Sequence, residues 1–190
     1  MVAPSIKNIT VSGRIGSGTT TLAKGLAESL GWEFWEGGAL VEKLYKELKT
    51  NETNTNARPD SHELWMDNKI KEMIKEDEHQ VIQSMLAGFM ARGIPGVFKI
   101  LVICEDDGED KVDIRIDRLV NRKKISVEEA KEEVNKREEG NLEKWRRLYA
   151  NSDESWVYWD RKYYDLVINT FDHNAEESLN LALEELESHS

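Results

Sequence analysis

The residues best suited to chemistry lie near the start of the chain, in the segment GRIGSGTT from Gly13 to Thr20. Gly13 and Gly18 have the spacing of the phosphate-binding motif G-x-x-x-x-G-K-[ST], except that Thr19 stands at the lysine position. In such a loop, backbone N–H groups and the positive end of the following helix surround a phosphate. The segment therefore predicts a phosphate site, with the Thr20 hydroxyl placed to reach Mg²⁺.

The candidate phosphate-binding residues form one continuous stretch: Gly13, Arg14, Ile15, Gly16, Ser17, Gly18, Thr19 and Thr20. Glycine suits this stretch because it adopts positive φ and lets a phosphate approach the backbone closely. Arg14 could add positive charge to the loop, since Thr19 supplies none. A purely structural glycine turn between a strand and a helix is the alternative interpretation.

The chain on either side of the loop has the pattern that a phosphate site requires. An apolar, β-branched run from Ile6 to Val11 precedes it and predicts a strand. After it, apolar residues recur at three- and four-residue steps from Leu22 to Leu30, which predicts a helix that Gly31 ends. The order strand, loop, helix is the structural context that favours the functional interpretation.

Composition limits the classes of protein to which the chain can belong. Its 190 residues suit one domain, and a net charge of −11 argues against nucleic acid as the main partner. The one cysteine, Cys104, allows no internal disulfide and fits a reducing compartment. No signal peptide is recognisable at the start, and no apolar run approaches the roughly 20 residues that span a bilayer. We therefore expect a soluble cytoplasmic protein without a membrane partner.

Beyond Gly31, apolar segments alternate with amphipathic ones. The predicted strands are Trp32–Trp35, His79–Met85, Phe98–Cys104 and Tyr164–Thr170. The predicted helices are Ala39–Leu48, Glu63–Lys75 with Asp60 or Ser61 as its cap, Val112–Arg122, a long charged helix from a Ser126 cap to about Tyr149, and Ala175–Glu187. Apolar strands alternating with helices predict a parallel sheet that is covered on both faces.

Charged residues near two of these elements have two possible interpretations. Glu105 to Asp107 follow the strand Phe98–Cys104 as a Walker B carboxylate would, although a solvated turn is the favoured interpretation. Arg115, Arg118 and Arg122 lie on one face of the helix Val112–Arg122, because their spacing follows the helical repeat.

Three segments of the chain resemble the archaeal-type cytidylate kinases and their cytidylate-kinase-like relatives: ITVSGRIGSGTTTLAKGLAESLG, ISVEEAKEEVNKREE and YDLVINT. The similarity runs from about Ile6 to Ala182. It implies a three-layer α/β P-loop kinase fold with a five-stranded parallel sheet and helices on both faces. Residues 1–190 then form one domain, with a core at 1–38, 79–120 and 161–190, an NMP-binding subdomain at about 39–78 and a lid at about 121–160.

The resemblance also implies a reaction, Mg·ATP + (d)CMP → ADP + (d)CDP. ATP and Mg²⁺ are then the cofactors, and the partners are nucleotides bound by a monomer or weak homodimer. Arg118, Arg122 and Arg137 match basic positions that clamp the phosphates in the family, and Arg118 and Arg137 are the candidate catalytic residues. Each of them could instead be a charge on a helix surface that pairs with an acid. Arg122, Lys144, Arg146 and Arg147 are weaker candidates, since acids nearby could pair with each of them on the surface.

Departures from the family fall on the acceptor side. Ala39 and Glu42 replace an aspartate and a phosphate-binding arginine, and Met85 and Leu142 stand where two further arginines are expected. Three charge-assisted phosphate contacts are therefore missing, each worth on the order of 1.5–3 kcal/mol. Substitutes for these contacts could come from three basic residues: Arg58, Lys69 or Lys71.

Two tryptophans complete the acceptor side. Trp65 and Trp145 could each stack on a base, or each could simply be half buried under a helix. Two alternative functions remain open: a P-loop kinase for another small-molecule acceptor, and a nucleotide-binding protein without transfer activity. The sequence leaves the acceptor and the residues that read its base undecided.

Overall fold

The computed structural model describes residues 6–39 and 59–189, and a parallel sheet lies at its centre. Its strands are β1 (Asn8–Gly13), β2 (Glu33–Glu36), β3 (Gln80–Gln83), β4 (Val97–Ile103) and β5 (Leu166–Asn169). They are ordered β2-β3-β1-β4-β5, and every neighbouring pair is parallel. All six residues of β1 are buried, so the strand that leads into the glycine loop is also the centre of the sheet.

Helices connect the strands and cover the sheet. They are α1 (Thr19–Leu30), α2 (Asp60–Glu76), α3 (Ala87–Met90), α4 (Val112–Lys123), α5 (Val127–Lys131), α6 (Glu138–Tyr149) and α7 (Ala175–Ser188). A π-helix (Glu132–Arg137) joins α5 to α6, and a short 3₁₀-helix (Arg161–Tyr163) precedes β5. A two-stranded antiparallel hairpin, with strands at Glu105–Asp106 and Glu109–Asp110, follows β4.

Both faces of the sheet bury apolar side chains. On one face, α1 and α7 contribute Leu26 and Leu186 to a cluster around Ile9 and Val11 of β1. On the other face, Ile70 of α2 belongs to a second cluster that α3 completes. Burial on two faces agrees with the continuous apolar run of β4 from Ile100 to Ile103 and with the burial of all six residues of β1. The predicted three-layer α/β fold is confirmed.

Most predicted elements are found within a few residues of their expected bounds, including the end of α1 at Gly31, whose φ is 66°. The capping box at Ser126 is confirmed, because Ser126 and Glu129 exchange backbone-to-side-chain hydrogen bonds of 2.8 and 3.2 Å. The predicted cap of α2 is wrong. That helix starts at Asp60, and Pro59 occupies the cap position without a side-chain hydrogen bond.

The predicted long helix from Ser126 to Tyr149 is present, but the π-helix interrupts it. The predicted helix Ala39–Leu48 lies outside the described residues after Ala39. Within residues 6–39 and 59–189, no helix has the length and apolar character needed to cross a membrane.

Gly88 offers a test of the packing on the α3 face of the sheet. A Cβ on Gly88 would lie 2.3 Å from Cε1 of Tyr164, whose hydroxyl group donates to Tyr158 O at 2.6 Å. We expect Gly88→Ala to lower the free energy of unfolding by about 1–3 kcal/mol, as overpacking commonly does. Urea unfolding followed by tryptophan fluorescence measures this change.

The matched control is Gly38→Ala, since no described atom lies within 4 Å of a Cβ built there. Equal unfolding free energies for Gly88→Ala and the unsubstituted protein would contradict the packing described for Tyr164.

Candidate functional site

The loop between β1 and α1 is shaped by close contact with the elements beside it. A Cβ on Gly13 would lie 2.3 Å from Val102 O, and one on Gly16 would lie 2.3 Å from Arg115 O. Gly16 and Gly18 also have φ values of 82° and 105°, which L side chains rarely adopt. The glycines are therefore required by the backbone path, as the sequence predicts.

The beginning of α1 supplies hydrogen-bond donors to a cavity. The first backbone N–H groups of a helix have no partner within it, and Gly18 at the cap position provides no side chain to bind them. Thr19 and Thr20 line a cavity of about 420 Å³ together with Gly13, Gly16 and Gly18. Unpartnered donors and the helix dipole at the wall of a cavity are suited to a phosphate.

Thr19 occupies the lysine position of the motif and is held by a neutral side chain. Gln83, at the end of β3, donates from Nε2 to Thr19 Oγ1 at 3.2 Å, and Thr19 is buried. Positive charge enters from α4 instead, where Arg122 Nη1 donates to Thr20 Oγ1 at 3.0 Å. Arg122, one of the weaker candidates from the sequence, therefore contacts Thr20, the residue that is predicted to bind Mg²⁺.

Arg118 is tied to the loop through Thr170. Its Nη1 and Nη2 atoms donate to Thr170 Oγ1 and Thr170 O, both at 2.7 Å. Thr170 Oγ1 in turn donates to Ser17 O at 2.7 Å. Arg118 lines a second cavity of about 490 Å³ together with His173 and Asn174. The two cavities share Gly16, Gly18 and Arg122, so they meet at the loop.

Arg137, the other candidate catalytic residue, lines the 420 Å³ cavity and not the one that Arg118 lines. Its Nη1 atom donates to Glu133 Oε1 at 2.6 Å, and half of the side chain is exposed. The two candidate arginines therefore border different cavities, on either side of the loop.

Arg14 is held by carboxylates. Its guanidinium lies 2.5 Å from Glu138 Oε1 and 2.9 Å from Asp110 Oδ2, and it stacks over the ring of Trp159 at 4.6 Å. The charge that the sequence assigned to phosphate is thus balanced by protein groups.

The α2 side of the 420 Å³ cavity carries carboxylates and an indole. Glu36, Glu63 and Asp67 line it together with Trp145. Trp145 is buried, with its Nε1 atom donating to Glu63 Oε1 at 3.4 Å. Tyr149 donates a short hydrogen bond to Asp67, and burial together with the Asp67 charge raises the pKa of Tyr149 above its usual value.

The other residues that the sequence places on the acceptor side differ in their burial and in their partners. Met85 lines the same cavity, and its Sδ atom accepts from Asn141 Nδ2 at 3.8 Å. Leu142 packs in an aromatic cluster, and Trp65 is half buried against the α2 cluster. Lys144 is buried, 3.8 Å from Glu63 Oε2. Glu42 and Arg58 lie outside the described residues.

The acidic stretch after β4 forms the hairpin. Asp106 pairs with Lys111 at 2.9 Å, and Glu105 pairs with Arg161 at 2.7 Å. Both carboxylates are therefore engaged in ion pairs, which agrees with the turn interpretation.

Magnesium fits the loop as an ion held by few protein atoms. Among the described residues, no group of three or more His, Cys, Asp or Glu side chains is arranged to hold a metal. Mg²⁺ commonly takes one or two protein oxygens and completes its shell with phosphate oxygens and water. The Thr20 hydroxyl at the cavity wall meets that requirement.

Sequence reasoning gave no role to Arg115 or Glu138, and both are buried. Burial alone would lower the pKa of Arg115, but its hydrogen bond with Asp110 and the charge of Glu138 outweigh that effect and raise it. The helical spacing places Arg115 on one face with Arg118. No sequence signal, however, shows that it pairs with Glu138 rather than with solvent.

Comparison with known proteins finds a matching family model, related sequences and similar structures. Residues 9–143 match the family model described as AAA domain. The cytidylate kinase of Haloarcula marismortui is 31% identical over 185 residues, which cover 96% of this chain and 90% of the relative. That of Natronomonas pharaonis is 34% identical and covers 85% and 80% of the two chains. The shikimate kinase structure from Bacteroides thetaiotaomicron superposes with a TM-score of 0.60 at 18% identity, covering 95% and 98%.

Arg118 gives a direct test of the second cavity. We expect Arg118→Ala to weaken binding of Mg·ATP by about tenfold or more, because it removes a charged donor worth about 1.5–3 kcal/mol. Calorimetric titration of the full chain measures this affinity. Lys136→Ala is the control, since Lys136 is exposed and pairs with Glu132. Unchanged affinity for Arg118→Ala would contradict the assignment of Arg118 to the nucleotide site.

Proposed function

This chain belongs to the archaeal-type, cytidylate-kinase-like family of P-loop kinases, and on that premise we propose that it transfers the γ-phosphoryl group of Mg·ATP to CMP or dCMP. Phosphoryl transfer requires positioning and positive charge more than covalent chemistry. The products of the reaction are ADP and the corresponding pyrimidine diphosphate.

The observation that carries the proposal is the meeting of two cavities at one glycine loop. The 490 Å³ cavity beside α4 and α7 is suited to the base and sugar of ATP, and the 420 Å³ cavity to the acceptor. Gly16, Gly18 and Arg122 line both, so the transferred group would pass over them. This arrangement supports a kinase with two substrates in preference to a protein that binds one nucleotide.

Different groups of the loop would bind the phosphates and the metal ion. The backbone N–H groups of Gly16, Gly18, Thr19 and Thr20 would hold the phosphates, whereas that of Ser17 donates to Arg14 O. Thr20 would hold Mg²⁺, which neutralises phosphate charge when bound. Arg122 would supply the positive charge that a lysine provides in the common motif. Arg118 and Arg137 would flank the phosphates from the two cavities. Residues 121–160 would act as the lid, and residues 39–78 as the acceptor-binding subdomain.

The acceptor cavity has groups that suit cytosine. Trp145 provides an aromatic surface in the cavity, and the carboxylates of Glu63 and Asp67, which also accept from Trp145 Nε1 and Tyr149 Oη, lie on the same side. A carboxylate accepts a hydrogen bond from the amino group of cytosine, whereas uracil presents a carbonyl oxygen at that position. This chemistry supports a preference for CMP and dCMP over UMP.

A second candidate function is phosphoryl transfer to an acceptor without a phosphate. The charge distribution of the 420 Å³ cavity favours it. Three carboxylates, Glu36, Glu63 and Asp67, come from β2 and α2. Of the basic residues on the opposite side, Lys123 and Arg137 are paired with Glu133 of the π-helix. Met85 adds an apolar surface where the family places a phosphate-binding arginine. Carboxylates are well suited to accept hydrogen bonds from the hydroxyl groups of such an acceptor.

The experiment is ADP release from Mg·ATP in the presence of CMP, dCMP, UMP, AMP, cytidine or deoxycytidine. We expect CMP or dCMP to give the highest kcat/KM, with UMP and AMP at least tenfold lower. Thr20→Ala is the loss-of-function control, and we expect it to reduce turnover by tenfold or more, since it removes the magnesium-binding hydroxyl.

The acceptor panel also separates the alternatives. Faster turnover with cytidine or deoxycytidine than with their monophosphates would favour the second candidate. A shift of the melting temperature by ATP, without ADP release in the presence of any of these acceptors, would contradict transfer to CMP or dCMP and favour a protein that only binds the nucleotide.

A further inference from the structure

Both backbone polar groups of Ile15, in the middle of the glycine loop, are bound by side chains from outside the loop. Ile15 N donates to Glu138 Oε2 at 3.2 Å, and Ile15 O accepts from Arg115 Nη1 at 2.7 Å. The same Arg115 nitrogen lies 3.1 Å from Glu138 Oε2, which closes a triangle of contacts. The path of the loop at this residue is thus fixed by α4 and α6.

The charges in this arrangement are buried and balanced. Arg115 is 1% exposed and Glu138 is 3% exposed, so each needs a partner to offset its desolvation. Asp110 Oδ2 lies 2.8 Å from Arg115 Nη2, and Arg14 bridges Asp110 and Glu138 from the other side. We call these four residues, Arg14, Asp110, Arg115 and Glu138, the loop-anchoring network.

Apolar packing acts on the same part of the loop. The Ile15 side chain packs against a cluster that contains Ile116 of α4 and Val134 of the π-helix. The backbone of Gly16 is in turn so close to Arg115 O that a Cβ would not fit. Residues 14–16 are therefore held in place by contacts with α4, the π-helix and α6 as well as by their connection to β1.

Glu138 connects two distant parts of the chain. It is the first residue of α6, directly after the π-helix, and lies 123 positions from Ile15 in sequence. It lies inside the segment proposed as the lid. A motion that carries Glu138 away from the loop would break its contacts with both Arg14 and Ile15, because one carboxylate makes both.

We propose that Glu138 is a positioning residue that holds the glycine loop in its nucleotide-binding shape and couples the loop to α6. This inference rests on the proposed use of ATP. Glu138 acts through the loop backbone: it fixes the Ile15 peptide and keeps Arg14 paired. The N–H groups of the residues that follow then keep their direction toward the cavity.

The test measures binding of Mg·ATP by calorimetry and the free energy of unfolding by urea, on the full chain. We expect Glu138→Gln to raise the dissociation constant by at least tenfold, because the neutral side chain no longer balances Arg14 and Arg115. Glu138→Asp keeps the charge but shortens the side chain. It is the second variant, for which we expect a rise of about threefold to tenfold. Glu139→Gln is the matched control, since Glu139 is the exposed neighbour.

The outcomes separate this inference from the proposed function. Variants at Glu138 that lose stability but bind Mg·ATP within twofold of the unsubstituted protein would overturn the inference and leave Glu138 a structural residue only. Absence of ATP binding by the unsubstituted protein would overturn the proposed function and this inference with it. A kinetic readout adds a further check: the KM for ATP should rise in Glu138→Gln and should be partly restored in Glu138→Asp, which keeps the charge.

Discussion

The close approach of the glycine loop to its neighbours is the constraint on which the rest of the site depends. Gly13 lies against Val102 O of β4, and Gly16 lies against Arg115 O of α4, with no room for a Cβ at either. The first contact follows from the parallel pairing of β1 and β4, which places Gly13 opposite Val102. The sheet register and the position of α4 thus decide where the N–H groups of the loop point, and both candidate cavities are arranged around that point.

Charge balance around the loop differs from that of the common phosphate-binding motif. The lysine position is Thr19, bound by Gln83, so positive charge must come from outside the motif. Arg122 reaches Thr20 from α4, while Arg14 is held by Asp110 and Glu138. In a chain of net charge −11, Arg118 and Arg122 of α4 therefore bring positive charge to the loop from outside the motif.

The sequence predicts the parts of the structure that depend on local chemistry. The glycine spacing, the apolar strands and the capping box at Ser126 each follow from short segments, and the structure confirms them. The contacts of Arg115 and Glu138 were missed, because they join residues that are far apart and sequence pattern does not distinguish a buried carboxylate from a solvated one. The cap of α2 was wrong for a related reason: Asp60 and Ser61 both suit a cap, and only the backbone at Pro59 decides.

Both proposals require that the loop from Gly13 to Thr20 holds nucleotide phosphates without a lysine. A crystal structure of the full chain with Mg·ADP would show whether it does. We predict that the β-phosphate contacts the backbone N–H groups between Gly16 and Thr20, that Mg²⁺ contacts Thr20 Oγ1, and that the base lies in the cavity lined by Arg118. Phosphates bound away from the loop, with the base outside that cavity, would contradict phosphate binding by this loop.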